Sequence, residues 1–135
     1  MDWQPYLKAS WEIVMAAQGR TQIALDEDLE CYLVQMMARN FRNKDLPPEI
    51  MCLELAHARR AEDYRHIGDS CLFVDAWNVK RARLVSPDYY QRLGQIAYSH
   101  AALASKPFDT FLERVGREFK LLSQVLSGVR TLSQA

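Results

Sequence analysis

The chain is short of the residues that staple, clamp or anchor a protein. Its three cysteines, Cys31, Cys52 and Cys71, are odd in number, widely spaced and without a CxxC pair, so neither a disulfide framework nor a zinc knuckle is indicated. Three reduced thiols in a cytoplasm is the plain expectation. Charge of one sign is also missing: 17 basic side chains face 17 acidic ones. That balance argues against a general nucleic-acid binder, which needs a basic excess to neutralise phosphates, and against a polybasic membrane clamp. The longest stretch without a charge runs from Leu93 to Ser105 and contains Gln95, Ser99 and His100. It falls short of the ~20 apolar residues of a membrane span, so no membrane partner is expected. The N-terminus places Asp2 where a secretory signal would carry basic residues, and no apolar segment of signal type follows.

Catalytic signatures are equally sparse. There is no glycine-rich phosphate loop, nucleophile elbow or HExxH, which lowers the expectation of a common enzyme class. Internal repeats, low-complexity tracts and linkers are absent too, so a single domain over 1–135 is expected. A chain of 135 residues buries roughly two-thirds of its unfolded surface, enough for a core that folds without a cofactor.

What is present reads as helices. Five glycines and five prolines fall where they punctuate them. The first is expected over about 5–18, with Gly19 just past its end, and the second from Asp26, an N-cap followed by Glu27 and Asp28, to about Arg42. The third starts around Pro48, because Leu46 and Pro47 each precede a proline, and runs to about His66. Gly68-Asp69-Ser70 reads as a stop and a fresh N-cap for a fourth helix to about Arg81, with a break or a kink at Gly68 both open. Ser86-Pro87-Asp88 opens a fifth helix to about Ser105, and Lys106-Pro107 a sixth that Gly128 ends. In the sixth, Phe108, Phe111, Leu112, Val115, Phe119, Leu122 and Leu126 form one helical stripe. No segment shows period-two patterning, so the expected fold is all-α, a single-domain bundle of about five to six helices.

Polar residues inside the apolar arcs point to chemistry, because a buried polar group needs a partner. In the third helix Glu54 and His57 share the arc of Ile50, Met51, Leu53, Leu55, Ala58, Ala61 and Tyr64. In the second, Glu30 lies between Met37 and Phe41, with Asn40 near the middle of the arc. In the fifth, His100 is the centre of a face made by Tyr89, Leu93, Ile96, Ala97, Leu103 and Ala104. Glu30, Glu54, His57 and His100 could therefore converge in one interior pocket.

Glu54-Leu55-Ala56-His57 has the E-x-x-H spacing that carboxylate-bridged metal sites of helical bundles use, but di-metal sites need two copies and this chain has one. A mononuclear site of Glu30, Glu54, His57 and His100 would offer N/O ligands suited to zinc, iron or manganese. The competing reading is that Glu54 and His57 bond each other, Arg65 or tyrosines and only satisfy a polar patch of the core.

Two features point to association instead. Gly94, Ala97, Ala101 and Ala104 form a small-residue stripe that admits a close helix, either from a second chain or from within the bundle. The charges are uneven along the chain: 8 basic and 11 acidic up to Ile67, then 9 and 6, an asymmetry that favours antiparallel self-association. Lys80-Arg81-Ala82-Arg83 could bind phosphate or an acidic partner, or only complement a helix C-terminus. The leading expectation is a helical protein that works by association, as a homo-oligomer and with a larger partner in view. The alternative is a metal-dependent enzyme or metal-binding protein built on the four Glu and His residues.

Overall fold

Three of the helix starts are set by carboxylates, Asp26, Asp63 and Asp109, that meet otherwise unpaired backbone N–H groups. In a computed structural model, which describes residues 4–40, 51–77, 86 and 88–134, every regular element among the described residues is an α-helix. They are α1 (Gln4–Thr21), α2 (Glu27–Asn40), α3 (Met51–His57), α4 (Ala61–Trp77), α5 (Tyr89–Ala104), α6 (Thr110–Arg117) and α7 (Phe119–Gln134). The all-α class is as expected, with seven helices among the described residues rather than five or six. None of them is long and apolar enough to cross a membrane.

Asp26 caps α2 as its sequence suggests, with Oδ1 accepting the N–H of Leu29 at 3.1 Å. Asp109 caps α6 in the same way, accepting from Leu112 at 3.0 Å. The stripe expected of one sixth helix is thus divided between α6 and α7, with Glu118 at the turn. Leu112, Val115, Phe119, Leu122 and Leu126 are buried as the stripe requires, whereas Phe108 lies ahead of α6 and is exposed.

Glycines do not stop these helices. α1 continues past Gly19 and ends at Thr21, where Gln22 takes the left-handed conformation (φ 61°) that ends the helix. α7 continues through Gly128, and a Cβ there would stand 2.6 Å from Thr21 Cγ2. The missing side chain admits α1, so Gly128 is a point of close approach. Gly68 lies inside the continuous helix α4, where a Cβ would meet the Tyr98 ring at 2.8–2.9 Å. The break falls instead at 58–60, because Asp63 in the first turn of α4 accepts the N–H groups of Arg60 at 3.1 Å and Arg59 at 3.5 Å.

The chain divides into two compact units, Met1–Asp45 with Gln124–Ala135, and Leu46–Ser123. In the first, α1 packs on α2. Gln18 joins them: its Oε1 accepts the N–H of Leu25 and its Nε2 donates to Glu30, each at 2.7 Å. In the second, α4 lies along α5, α5 along α6, and α3 on α4. Ser123 donates to Asp75 at 2.6 Å, fixing the start of α7 to α4.

Tyr98 forms the middle of this second unit. It is fully buried, its hydroxyl donates to Asp69 at 2.6 Å, and a Cβ on Gly116 would stand 2.9 Å from its own Cβ. Asp69, expected as an N-cap, is a buried acid whose other oxygen pairs with Arg65 at 3.4 Å. A buried carboxylate is tolerated only when it is bonded in this way.

These contacts set the effects of substitution. Tyr98→Phe leaves Asp69 short of a donor and is expected to cost about 1–3 kcal/mol in urea denaturation. Gly68→Ala forces a Cβ onto the same ring and is expected to cost about 1–3 kcal/mol. Gly19→Ala, inside α1 with nothing within 4 Å of the added Cβ, is expected to stabilise by roughly 0.5–1 kcal/mol. Equal effects of the two glycine substitutions would contradict the packing role given to Gly68.

Candidate functional site

Two of the four residues singled out in the sequence, His57 and His100, are exposed rather than interior. Glu30 belongs to the first unit and is held by Gln18. Glu54, His57 and His100 belong to the second, where Glu54 is half-buried while His57 and His100 are exposed. Among the described residues no group of three or more His, Cys, Asp or Glu side chains is placed to hold a metal ion.

His57 is exposed because α3 stops at it, which breaks the phase of the single long helix expected over this region. The bend after it is held by Tyr64, whose hydroxyl donates to the Ala58 carbonyl at 3.0 Å, and by the Asp63 cap. An open pocket of ≈ 510 Å³ lies at this corner, lined by residues that include Glu54, His57, Asp63, Arg65 and His66. His66 joins Glu54 and His57 there. The sequence reading missed it because it placed His66 at the end of one helix with Glu54, whereas the bend brings α4 back beside α3.

Three of the charges at this corner are engaged in structure. Arg65 is bound to Asp69, Glu62 meets Arg60 at 3.2 Å, and Asp63 serves the helix start. The Arg60 N–H, more than any other group, holds the Asp63 carboxyl below its ordinary value of 3.8.

His100 stands on α5, stacked on Tyr64 with ring centroids 5.2 Å apart and planes at 27°. Of the face expected around it, Leu93 and Ala97 are buried, whereas His100 itself faces out together with Ile96 and Leu103. α5 buries Tyr90, Leu93, Gly94, Ala97, Tyr98, Ala101 and Ala102, an arc turned by about one residue's rotation, 100°, from the expected one. The cause is close packing. A Cβ on Gly94 would stand 2.2 Å from Phe119 Cε2, so the small residues admit α7 from within the chain. The stripe of Gly94, Ala97 and Ala101 is therefore used internally. The bulky Ile96 and Leu103 are left outside at 46% and 67% exposure, on the face of Arg92, Ser99 and His100.

The outer face of α5 is thus apolar at two positions one heptad apart, with a hydroxyl and an imidazole between them. Phe108, 44% exposed, follows just past the end of the helix. The basic cluster Lys80-Arg81-Ala82-Arg83 lies outside the described residues. Compared with protein-family models, with curated proteins and with solved structures, the chain matches none.

The depressed Asp63 carboxyl gives the α3–α4 bend a defined pH dependence. A group whose folded value is lowered contributes stability that is complete above its unfolded value, near 3.8, and is lost as pH falls through the folded value. Amide exchange at Arg60 is expected to stay protected from neutral pH down to about 4 and to open below it. Asp63→Ala is expected to open it at every pH, and unchanged protection in that variant would contradict the cap.

Proposed function

We propose that this chain works by association, pairing with itself through the outer face of α5. The observation that carries this reading is the exposure of Leu103 and Ile96 on one helix face, with His100 between them. Single exposed apolar residues are ordinary on protein surfaces; two large aliphatic groups seven residues apart on one helix form the start of a seam. Burying them against a like face removes apolar area from water, the main favourable term in association.

A single helix face is a small interface. It falls below the ~1,200 Å² total of stable complexes, so the complex is expected to be weak and reversible, with micromolar dissociation. The free thiols of Cys31 and Cys71 fit a reducing cytoplasm as the place where this happens. The rival metal reading draws no support from the arrangement of Glu30, Glu54, His57 and His100.

Light scattering and sedimentation from low to high micromolar concentration test the proposal. The native chain is expected to shift from monomer towards dimer. The double variant Ile96→Lys, Leu103→Lys is expected to keep its helicity and raise the dissociation constant at least about tenfold, the consequence of losing roughly 1.4 kcal/mol. A native chain that stays monomeric throughout the range, or a variant that dimerises equally well, would overturn the reading.

A further inference from the structure

The pocket at the α3–α4 bend holds polar groups that the fold leaves without a use. Glu54, His57, Glu62, Asp63, Arg65 and His66 all line it. Two of them are taken up by structure, since Glu62 and Asp63 share Arg60 and Asp63 also holds the start of α4. Among the described residues the half-buried Glu54 meets no base, and neither imidazole of the pocket has a hydrogen-bond partner. Arg65 is bonded through Nη1 alone, to Asp69 at 3.4 Å, with its side chain 29% exposed. A guanidinium carries five N–H donors in a fixed fork, so the Nε and Nη2 side of Arg65 is open to a second carboxylate.

An unpaired carboxylate and a largely unpaired guanidinium thus line one pocket without meeting each other. What completes both is a ligand that carries an ammonium group and a carboxylate of its own. The remaining charge narrows the choice. Three carboxylates line the pocket against one guanidinium, and a single Arg60 shared by Glu62 and Asp63 leaves the balance negative. A second positive group on the ligand offsets it. We propose that this pocket binds a free amino acid with a basic side chain, its carboxylate on Arg65, its α-ammonium on Glu54 and its side-chain cation towards Glu62 and Asp63. In the neutral form, His57 and His66 each accept one further N–H.

The space is adequate, because ≈ 510 Å³ lies within the roughly 300–1,000 Å³ of small-molecule sites. The same residues count against two other ligands. An inorganic anion would meet Arg65 but also three carboxylates. A metal ion needs three or more converging ligands, and no such group occurs among the described residues. A ligand of about ten heavy atoms held by partly exposed ion pairs is expected to bind in the millimolar range.

NMR of the histidine ring protons in the intact chain reads the pocket directly, because two of the three histidines line it. His57→Gln and His66→Gln assign the signals. L-Lysine and L-arginine, titrated to tens of millimolar at constant pH and ionic strength, are expected to shift His57 and His66 saturably, with His100 moving less. Cadaverine, which lacks the carboxylate, and alanine, which lacks the second cation, are each expected to bind at least about tenfold more weakly. Glu54→Gln breaks no hydrogen bond or ion pair among the described residues, so its circular dichroism is expected to match that of the native chain. The same variant is expected to weaken lysine at least about tenfold.

No saturable shift with either basic amino acid would overturn the site. Cadaverine binding as tightly as lysine would overturn the role of Arg65, and alanine binding as tightly would overturn the basic side chain. Inorganic phosphate binding more tightly than lysine would overturn the sign given to the pocket. Equal shifts at all three histidines, or a folded Glu54→Gln chain that binds lysine as the native one does, would place the ligand elsewhere and overturn the proposal.

Discussion

One side chain sets the geometry of the larger unit. The Tyr98 ring lies where a Gly68 side chain would be, its Cβ presses on Gly116, its hydroxyl ends on the buried Asp69, and its ring stands 6.4 Å from that of Phe119. Phe119 in turn fills the space beside Gly94. Helices α4, α5 and α6 and the start of α7 are therefore fitted around two aromatic rings and three absent Cβ atoms. The arrangement is demanding, because the hydroxyl brings a carboxylate with it into the core, and Asp69 needs both Tyr98 and Arg65 to remain there. It also fixes the rotation of α5. Once Tyr98 and the small residues face inwards, Ile96, His100 and Leu103 must face out.

The helical class, the cap at Asp26 and most of the buried stripe of α6 and α7 were legible because they depend on local chemistry and period. Asp26 precedes its helix with acids at the following two positions, and Leu112, Val115, Phe119, Leu122 and Leu126 keep one phase across the turn at Glu118. Glycine was where local reasoning failed. Gly19, Gly68 and Gly128 all read as punctuation, yet each lies inside a helix, and at Gly68 and Gly128 the reason is a residue distant in sequence, Tyr98 or Thr21. A missing Cβ has two uses, freedom of the backbone and close approach of a neighbour. Only the second applies here, and it needs knowledge of the neighbour.

The candidate site was partly legible for the same reason. Glu54 and His57 do share a helix and line one open pocket, but the sequence placed them on a long helix running to about His66 and inferred their burial from it, whereas the helix ends at His57. For α5 the sequence grouped Ile96, His100 and Leu103 with Leu93 and Ala97 on one buried face, and of these five only Leu93 and Ala97 are buried. Bulk alone made that cluster look like core. What decided the matter was fit: an arc of Gly94, Ala97, Ala101 and Tyr98 lets neighbouring helices come closer than an arc of isoleucine and leucine would, and close packing outweighs the size of any one side chain.

The account therefore depends on which way α5 faces. Hydroxyl-radical footprinting of the native chain, at a concentration low enough to keep it monomeric, measures this in one experiment. Ile96 and Leu103 are expected to be modified readily, and Tyr98 to stay protected while Tyr89, half-exposed on the same helix, reacts. Strong modification of Tyr98 together with protection of Ile96 and Leu103 would mean that α5 is turned the other way, and would contradict both the packing around Tyr98 and the surface it leaves outside.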